Sequence, residues 1–481
     1  MLSLIILLPL INILLILILP EKNIIFVRQI TLTVSFFNFI LSLFLWIFFD
    51  CSCGKFQFIE YFDWIVFFNI NFFLGIDGVS LFFLLLTTFL TLLCVLASWS
   101  NIKIQLKKYY ICLLLIEFFL IVVFSVLDIL VFYIFFESIL IPMFLIIGVW
   151  GSRTRKLKAA YQFFLYTLFG SLFMLLGILY IFFETGFTDF QLLNAITFPL
   201  EKEIFLWLSF FLSFSVKVPM FPLHIWLPEA HTEAPTAGSV ILAGILLKMG
   251  TYGLLRFSIC LFPTASIFFS PIIFLLSIIS IIYVSLTTIR QVDLKKIIAY
   301  SSVAHMAFVT MGVYSFNFYS FEGSLIIMIS HGFISSGLFF CVGFIYDQHH
   351  TRFIKYYTGL VQTMPVYSFF FLFFTIANLG FPGTSSFAGE FLTLAGIFQF
   401  NTTAAFLGSF GMVLGAAYSL WLCNRILFGS LNLYYINIYK DLNRREFATI
   451  FPLFLCVIWL GIYPEIFLEP MHFTISNLLN K

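Results

Sequence analysis

The chain has 481 residues, of which 62% are hydrophobic and only 10% are charged, whereas an ordinary soluble domain is about a quarter charged. Its mean hydropathy of +1.10 excludes a large soluble enzyme with a polar surface. Lysine and arginine number 24 against 22 aspartates and glutamates. No basic excess is therefore present to bind nucleic acid.

Apolar runs of about 20 residues, the length needed to cross a bilayer, fill most of the chain. They predict an all-α polytopic membrane protein. The first run, from Leu2 to Leu19, has no basic residue ahead of it and no small-residue cleavage site behind it. We interpret it as a transmembrane helix and not as a cleaved signal peptide. A span-length window predicts about 14 transmembrane helices, at 2–20, 26–49, 79–98, 109–124, 127–150, 159–183, 203–224, 236–258, 266–289, 295–315, 322–346, 366–390, 403–428 and 448–468.

The positive charges test this count, because short connections on the inner side of a membrane collect lysine and arginine. Connections that follow odd-numbered helices hold 17 lysines and arginines, whereas those that follow even-numbered helices hold only Lys55 and Lys202. One missed helix would scramble this bias, so it favours an even number of spans with both termini on the outer face. The longest hydrophilic stretch, from Asp50 to about Gly78, is still rich in Phe, Ile and Tyr. The sequence therefore predicts a single membrane domain over 1–481.

The eight cysteines are scattered along the chain, and Cys51-Ser-Cys53 is the only close pair. Zinc and iron–sulfur sites normally show Cys-x-x-Cys spacing. The cysteines are therefore interpreted as small packing residues, and no metal or redox centre is expected in this chain.

Ionisable side chains inside the predicted spans are costly in hydrocarbon unless they are paired, hydrated or used. Glu137 lies mid-span among aromatic residues, where it either serves function or forms a structural ion pair. Glu117 and Asp128 lie nearer helix ends and are equally compatible with an interfacial or capping role. The complete set is Glu117, Asp128, Glu137, Lys217, Lys248 and Glu390, with His224, His305 and His331.

Two predicted helices are interrupted next to such a charge. Lys217 is followed by prolines at 219 and 222, which break or kink a helix. Broken helices are tolerated in membranes mainly beside a cavity. Burial favours the neutral form of a lysine and a nearby carboxylate such as Glu137 favours the charged form, so a change in their separation would bind or release a proton. The second interruption, at Gly380-Phe-Pro-Gly-Thr-Ser-Ser386, precedes Glu390 and, with the first, suggests an inverted-repeat transporter.

Lys248 ends a segment with small residues at 237, 238, 243 and 244, which let neighbouring helices approach closely. It lies too deep to reach water, so we favour a proton carrier over a structural ion pair. His305 and His331 each share a helical face with a serine four residues away, and histidine titrates near neutrality. Both are candidate relay groups, with a hydrogen-bonded packing role as the alternative. His224, between two prolines, is more typical of a cap or loop anchor and is the weaker candidate.

Several motifs in this chain closely resemble the antiporter-like subunits of respiratory complex I. The resemblance extends from about Gly75 to about Phe428. The motifs that carry it are Phe136-Glu137-Ser-x4-Met143, Lys217-Val-Pro-x-x-Pro-Leu-His-x-Trp-Leu-Pro-Glu-Ala-His231, Ala234-Pro-Thr-Ala-Gly-Ser239, Lys248-x3-Tyr252-Gly-Leu-Leu-Arg256, Ala299-Tyr-Ser-Ser-Val-Ala-His305, His331-Gly332 and Gly383-Thr-x-x-Phe-x-Gly-Glu390-Phe.

Among the antiporter-like subunits, Glu390 distinguishes one branch, because its two sister subunits resemble each other in having lysine at that position. The related multi-subunit sodium/proton antiporters share the Glu137, Lys217 and Lys248 pattern and are the alternative. A further alternative is a structural membrane subunit that pumps nothing and whose charges serve only assembly.

The resemblance implies an antiporter-like fold with two inverted repeats and two broken helices. We expect N-terminal helices over 2–98, a first repeat over 109–258, a second over 266–428 and a C-terminal helix at 448–468.

It also implies a proton channel joined to a remote redox machine. Similar proteins bind no flavin, iron–sulfur cluster or quinone, so NADH, FMN, the clusters and ubiquinone belong to partner subunits. The expected partners are other membrane-arm subunits, sister antiporter-like subunits included, and the lipid bilayer. In this chain Glu137 would be the acidic partner of Lys217, Lys248 the central carrier, His305 a link and Glu390 the exit-side carboxylate.

The 70 phenylalanines suggest an AT-rich genome, and no transit peptide is visible. With the resemblance, this composition predicts the mitochondrial inner membrane, with the Lys/Arg-rich loops in the matrix and both termini toward the intermembrane space. A bacterium with an AT-rich genome is the alternative source.

Overall fold

The structure is a computed structural model and describes residues 1–20, 23–431 and 439–479. Within these residues, eleven helices are long and apolar enough to cross a membrane, and two shorter apolar helices add to them. Each of the fourteen predicted segments coincides with a helix or a pair of helices, which confirms the all-α polytopic class. Of the loop lysines counted above, Lys22 lies outside the described residues.

The helices are numbered here in chain order. They are α1 (Leu2–Ile18), α2 (Ile24–Ile47), α3 (Gly78–Ala97), α4 (Leu106–Ser125), α5 (Ile129–Trp150), α6 (Lys156–Thr185), α7 (Phe190–Leu193), α8 (Leu200–Lys217), α9 (Trp226–Glu233), α10 (Thr236–Ile259), α11 (Pro263–Ile289), α12 (Leu294–Val313), α13 (Phe318–His349), α14 (Pro365–Leu379), α15 (Ser385–Phe400), α16 (Thr402–Leu427), α17 (Arg444–Ile462) and α18 (Glu465–Leu479).

Local sequence signals set several helix starts. Asp77 and Ser80 form a capping box at the start of α3, and the Asp128 carboxylate accepts the backbone N–H groups of Leu130 and Val131 at the start of α5. Such side chains satisfy N–H groups that have no partner within the helix. Asp128 thus takes the capping role that the sequence left as one of two possibilities.

Both predicted interruptions are present. Helix α8 ends at Lys217, and the chain resumes helical structure in the short α9. Helix α14 ends at Leu379, because Gly380 has a φ of 82° that favours glycine, and α15 begins at Ser385. Each break therefore lies directly beside one of the candidate charges.

A two-stranded antiparallel hairpin between α2 and α3 was not anticipated from the sequence. Strands β1 (Gln57–Ile65) and β2 (Ile70–Ile76) pair from Gln57–Ile76 to Ile65–Ile70. Several aromatic and aliphatic side chains of β1 point outward and are exposed. The hairpin occupies the stretch that the sequence marked only as the longest hydrophilic connection, rich in Phe, Ile and Tyr.

Helices α10 and α13 form the centre of the bundle, since the membrane-length window of each is entirely buried. Peripheral helices such as α2 and α6 expose large apolar side chains along one side. The buried pair carries Lys248 and His331, and so the most deeply enclosed part of the molecule also holds its candidate proton-carrying groups.

Candidate functional site

Lys248 lies at the centre of the site and is fully buried. Its Nζ lies 2.7 Å from Nδ1 of His331 on α13 and donates to the Ala243 carbonyl at 2.5 Å. Ala243 belongs to a π-helical segment of α10 at Leu242–Leu246. Because π-helical geometry displaces the usual i→i+4 backbone bonds, it leaves a carbonyl for the lysine. The amino group is thus held in place within a buried environment.

Small residues allow the close approach of α10 and α13 that this contact needs. A Cβ at Gly332, next to His331, would lie 2.8 Å from the Leu86 side chain and 3.3 Å from the Gly244 carbonyl. A Cβ at Gly244 would lie 2.4 Å from the side chain of Leu90. Larger residues at either position would push the helices apart, so glycine positions His331 against Lys248.

A second histidine extends the line from His331. The ring centres of His331 and His305 on α12 are 5.9 Å apart. Nδ1 of His305 lies 3.1 Å from Oε1 of Glu390, while its Nε2 has no hydrogen-bond partner within the described part of the chain. The two imidazoles are therefore near neighbours, and the carboxylate of Glu390 lies beside the second of them.

Glu390 lies on α15 one and a half turns after the break in the helix, and its side chain is only 2% exposed. The break shapes its surroundings, because a Cβ at Gly380 would lie 2.6 Å from Oε2 of Glu390. Glycine at this position thus satisfies both the left-handed backbone and the close approach of the carboxylate. The four groups Lys248, His331, His305 and Glu390 form one buried line across three central helices and α15.

The other predicted pair, Glu137 and Lys217, lies toward the first break. The Nζ of Lys217 donates to the Phe136 carbonyl at 3.2 Å and lies 3.8 Å from the centre of the Phe136 ring. Within the described ranges, no ion pair of 4 Å or less joins Lys217 to Glu137. Oε1 of Glu137 is buried without a hydrogen-bond partner there. The carboxylate and the ammonium are neighbours that are not in direct contact.

Backbone packing connects this pair with Lys248. A Cβ at Gly250, two residues after Lys248, would lie 3.1 Å from Cβ of Lys217. Helices α8 and α10 are therefore closely packed near both lysines. Lys248, His331, His305 and Glu390 form the buried line, and Glu137 and Lys217 form a second buried pair beside the first break.

Two candidates have other neighbours. The ring centre of His224 lies 5.7 Å from that of Phe221 and 6.4 Å from that of Tyr300, within the first break. Glu117 is 1% exposed and accepts a 2.7 Å hydrogen bond from Asn38 on α2. These contacts place His224 among aromatic rings and Glu117 in a separate polar cluster.

The sequence analysis quoted His231 within a motif but did not select it as a candidate. This side chain is fully buried, stacks on Phe339 of α13 with ring centres 4.8 Å apart, and has no hydrogen-bond partner for either nitrogen in the described residues. The Lys295 Nζ, on the same side, donates to the Ala234 carbonyl at 2.7 Å. No local signal in the sequence marks this burial, because His231 lies in the last turn of the short helix α9, where a histidine is usually close to solvent.

A buried ion cluster was also missed. Arg352 pairs with Asp293 at 2.7 Å and with Glu233 at 2.9 Å, and its guanidinium also donates to the Thr232 carbonyl. Burial raises the pKa of the Asp293 carboxyl, an effect that Arg352 opposes. The cluster joins the end of α9 to the connections before α12 and after α13. It anchors the broken helix and does not touch the buried line.

No group of three or more His, Cys, Asp or Glu side chains in the described residues is arranged to hold a metal ion. The side chains of the buried line are an amine, two imidazoles and a carboxylate. Each of these binds and releases a proton, and together they can hold a proton at successive positions.

A membrane bundle with two broken helices and a buried line of lysine, histidine and glutamate defines an antiporter-like membrane protein. Residues 127–415 match the family model described as "NADH:quinone oxidoreductase/Mrp antiporter, TM". Among curated proteins, the chain is 60% identical to NADH-ubiquinone oxidoreductase chain 4 of Marchantia polymorpha, covering 99% of this chain and 97% of the relative. It is likewise 60% identical to the chain 4 protein of Chondrus crispus, covering 98% and 96%. The chain belongs to the family of NADH-ubiquinone oxidoreductase chain 4 proteins.

A solved structure confirms the antiporter-like fold. The chain is similar to a chain of respiratory complex I from Thermus thermophilus with bound NADH, with a TM-score of 0.91 and 29% identity. The match covers 100% of this chain and 99% of that chain. The predicted resemblance, including the branch chosen from Glu390, is thereby confirmed.

Proposed function

We propose that this chain is a proton-translocating subunit in the membrane arm of respiratory complex I. The observation that carries the proposal is the buried line from Lys248 through His331 and His305 to Glu390, with contacts of 2.7 Å at one end and 3.1 Å at the other. Apolar side chains would stabilise the centre of a membrane bundle better than a line of titratable groups does. The line therefore indicates a function and not a structural role.

The atoms along the line suggest how a proton moves. A protonated Lys248 donates to Nδ1 of His331, and the imidazole then releases the proton on its opposite nitrogen. The unpartnered Nε2 of His305 is the atom left to accept it. His305 in turn gives up the proton on Nδ1 to Oε1 of Glu390, so each imidazole takes a proton on one nitrogen and loses one from the other. The same steps run in either direction.

Glu137 would set the charge of Lys217 beside the first break. The two groups form no direct ion pair of 4 Å or less, and the Phe136 ring and carbonyl hold the ammonium. A small movement of Glu137 toward or away from Lys217 would change how strongly the lysine holds its proton. Transfer of one charge across 100 mV needs about 2.3 kcal/mol, and a displaced buried carboxylate supplies a free energy of that order.

The redox chemistry would lie in partner subunits, where NADH, FMN, iron–sulfur clusters and ubiquinone are used, and this chain would bind none of them. Its neighbours would be other membrane-arm subunits, sister antiporter-like subunits among them. We place the chain in the mitochondrial inner membrane, with the Lys/Arg-rich loops in the matrix and both termini toward the intermembrane space. The chain 4 relatives from a liverwort and a red alga support this assignment.

A Lys217→Ala variant tests the function. The complex is purified through this chain, its assembly is verified, and proton uptake per NADH is measured in vesicles. Co-purification of an NADH-oxidising, iron–sulfur-containing partner with reduced pumping would support the proposal. Full assembly with unchanged pumping would make the charges structural. Purification without such a partner, together with sodium-dependent proton exchange, would favour a sodium/proton antiporter.

A further inference from the structure

A cavity of about 430 Å³ opens at the Lys/Arg-rich face, away from the buried line. Three parts of the chain form it: the connection before α12, the connection after α13 and the end of α16. Its lining residues are Val292, Phe353, Ile354, Lys355, Trp421 and Arg425. None of them contacts the residues assigned to proton transfer in the described structure.

The cavity is positively charged. Lys355 and Arg425 are both exposed, and neither forms an ion pair of 4 Å or less with the residues that the structure describes. Each lies beside an aromatic ring, at 4.9 Å from Tyr356 for the Lys355 Nζ and 5.8 Å from Trp421 for the Arg425 guanidinium. Two unpaired cations in one concave site, without a lining carboxylate, attract an anion.

The two helices that end near the cavity expose apolar side chains further along their length. Helix α16 runs from Arg425 back into the membrane-spanning region and exposes Leu420 and Val413. Helix α11 packs beside it and exposes Leu286 and Tyr283. An anion with its charge at one end and long apolar chains at the other matches this combination of a basic cavity and exposed apolar side chains. Tryptophan, present in the lining as Trp421, is enriched at the interfaces of membrane proteins.

We propose that this cavity binds the phosphate headgroup of an anionic phospholipid whose acyl chains lie along α11 and α16. Basic pockets between transmembrane helices at the inner face of a membrane bind such headgroups. Lys355 and Arg425 supply the charge, Trp421 lies at headgroup depth, and the exposed aliphatic side chains contact the acyl chains. The site is independent of proton transfer, since its residues are distinct from the buried line.

Photolabelling of the purified, assembled complex tests the site. The complex is placed in vesicles that contain either photoactivatable phosphatidylglycerol or photoactivatable phosphatidylcholine, and labelled peptides are mapped. We expect peptides that contain Lys355 and Arg425 to react about thirtyfold more with the anionic probe, from the contribution of two basic side chains near an anionic lipid surface. Equal labelling by the two probes would overturn the proposal.

Matched variants separate this cavity from general surface charge. Lys355→Gln with Arg425→Gln should abolish the preference, whereas Arg155→Gln with Lys158→Gln, exposed cations of the same face outside the cavity, should leave it unchanged. The charge-conserving pair Lys355→Arg and Arg425→Lys should keep the preference and guards against a misfolded first variant.

Two further outcomes would contradict the proposal. Equal labelling by the two probes, together with protection of Lys355 from acylation by millimolar inorganic phosphate, would show a site for the free anion and not for a lipid. A carbodiimide cross-link between Lys355 and a carboxylate of a neighbouring subunit would show that protein occupies the cavity. With lipid bound there, neither should occur.

Discussion

Replacement of His331 by glutamine should block the transfer of a proton between Lys248 and His305. The Lys248 Nζ has two partners, Nδ1 of His331 at 2.7 Å and the Ala243 carbonyl at 2.5 Å. Glutamine can still accept a hydrogen bond from the lysine, but it cannot take a proton and release it on its other side. A positioned proton-transfer group contributes about 100-fold or more to the rate of such a step. A 100-fold loss corresponds to about 2.7 kcal/mol in the barrier.

The assay uses the assembled complex in sealed vesicles. NADH-driven ubiquinone reduction and the uptake of protons should both fall by about tenfold or more, because the two processes are coupled. Reduction of a hydrophilic electron acceptor at the flavin should stay unchanged, since the flavin lies in another subunit of the proposed complex. Ser335→Ala is the matched control, because the Ser335 hydroxyl only donates to the His331 carbonyl at 2.6 Å. Wild-type pumping by an assembled His331→Gln complex would refute this reasoning.

Three other substitutions, two of them with a matched comparison variant, test separate parts of the account. Glu137→Gln should slow coupled turnover more than Glu117→Gln does, because one Glu137 oxygen is buried without a partner while Glu117 accepts from an amide. Equal rates of NADH-driven quinone reduction in the two assembled variants would reject that ranking. Gly332→Val should lower the free energy of unfolding by about 1–3 kcal/mol and slow pumping, since a Cβ at position 332 would lie 2.8 Å from the Leu86 side chain of α3. Gly148→Ala, where the new Cβ meets its nearest atom at 3.8 Å, should do neither in the same melting and pumping assays. Arg352→Met should destabilise the chain by about 3–5 kcal/mol by leaving two buried carboxylates unpaired, and an unchanged melting temperature would show that the cluster contributes nothing.

The transmembrane helices were predictable because hydrocarbon demands long apolar runs whose backbone groups bond within the helix. The breaks at Lys217 and Gly380 were also predictable, since proline and glycine carry local backbone signals that need no tertiary contact. The hairpin formed by β1 and β2 was not, because its aromatic residues lie in a stretch that lacks the clear alternation of a strand with one exposed face.

The arrangement of the site could be predicted from the sequence only in part. Lys248, His331, His305 and Glu390 were recognisable one by one, because each is an ionisable group within a span. Their order was not, since the contact between Lys248 and His331 spans 83 residues of sequence and depends on the packing of α10 against α13. The pairing of Arg352 with Glu233 and Asp293 was hidden for the same reason, because all three residues belong to connections or helix ends that resemble solvated charge.

The most direct test of proton transfer through this chain is a Lys248→Ala variant in a complex of verified assembly. The measurement is NADH-driven quinone reduction together with proton pumping in vesicles. Loss of both is expected, because Lys248 is the first group of the buried line and alanine leaves His331 without its proton partner. Unchanged pumping would contradict the account and would make Lys248 a structural charge.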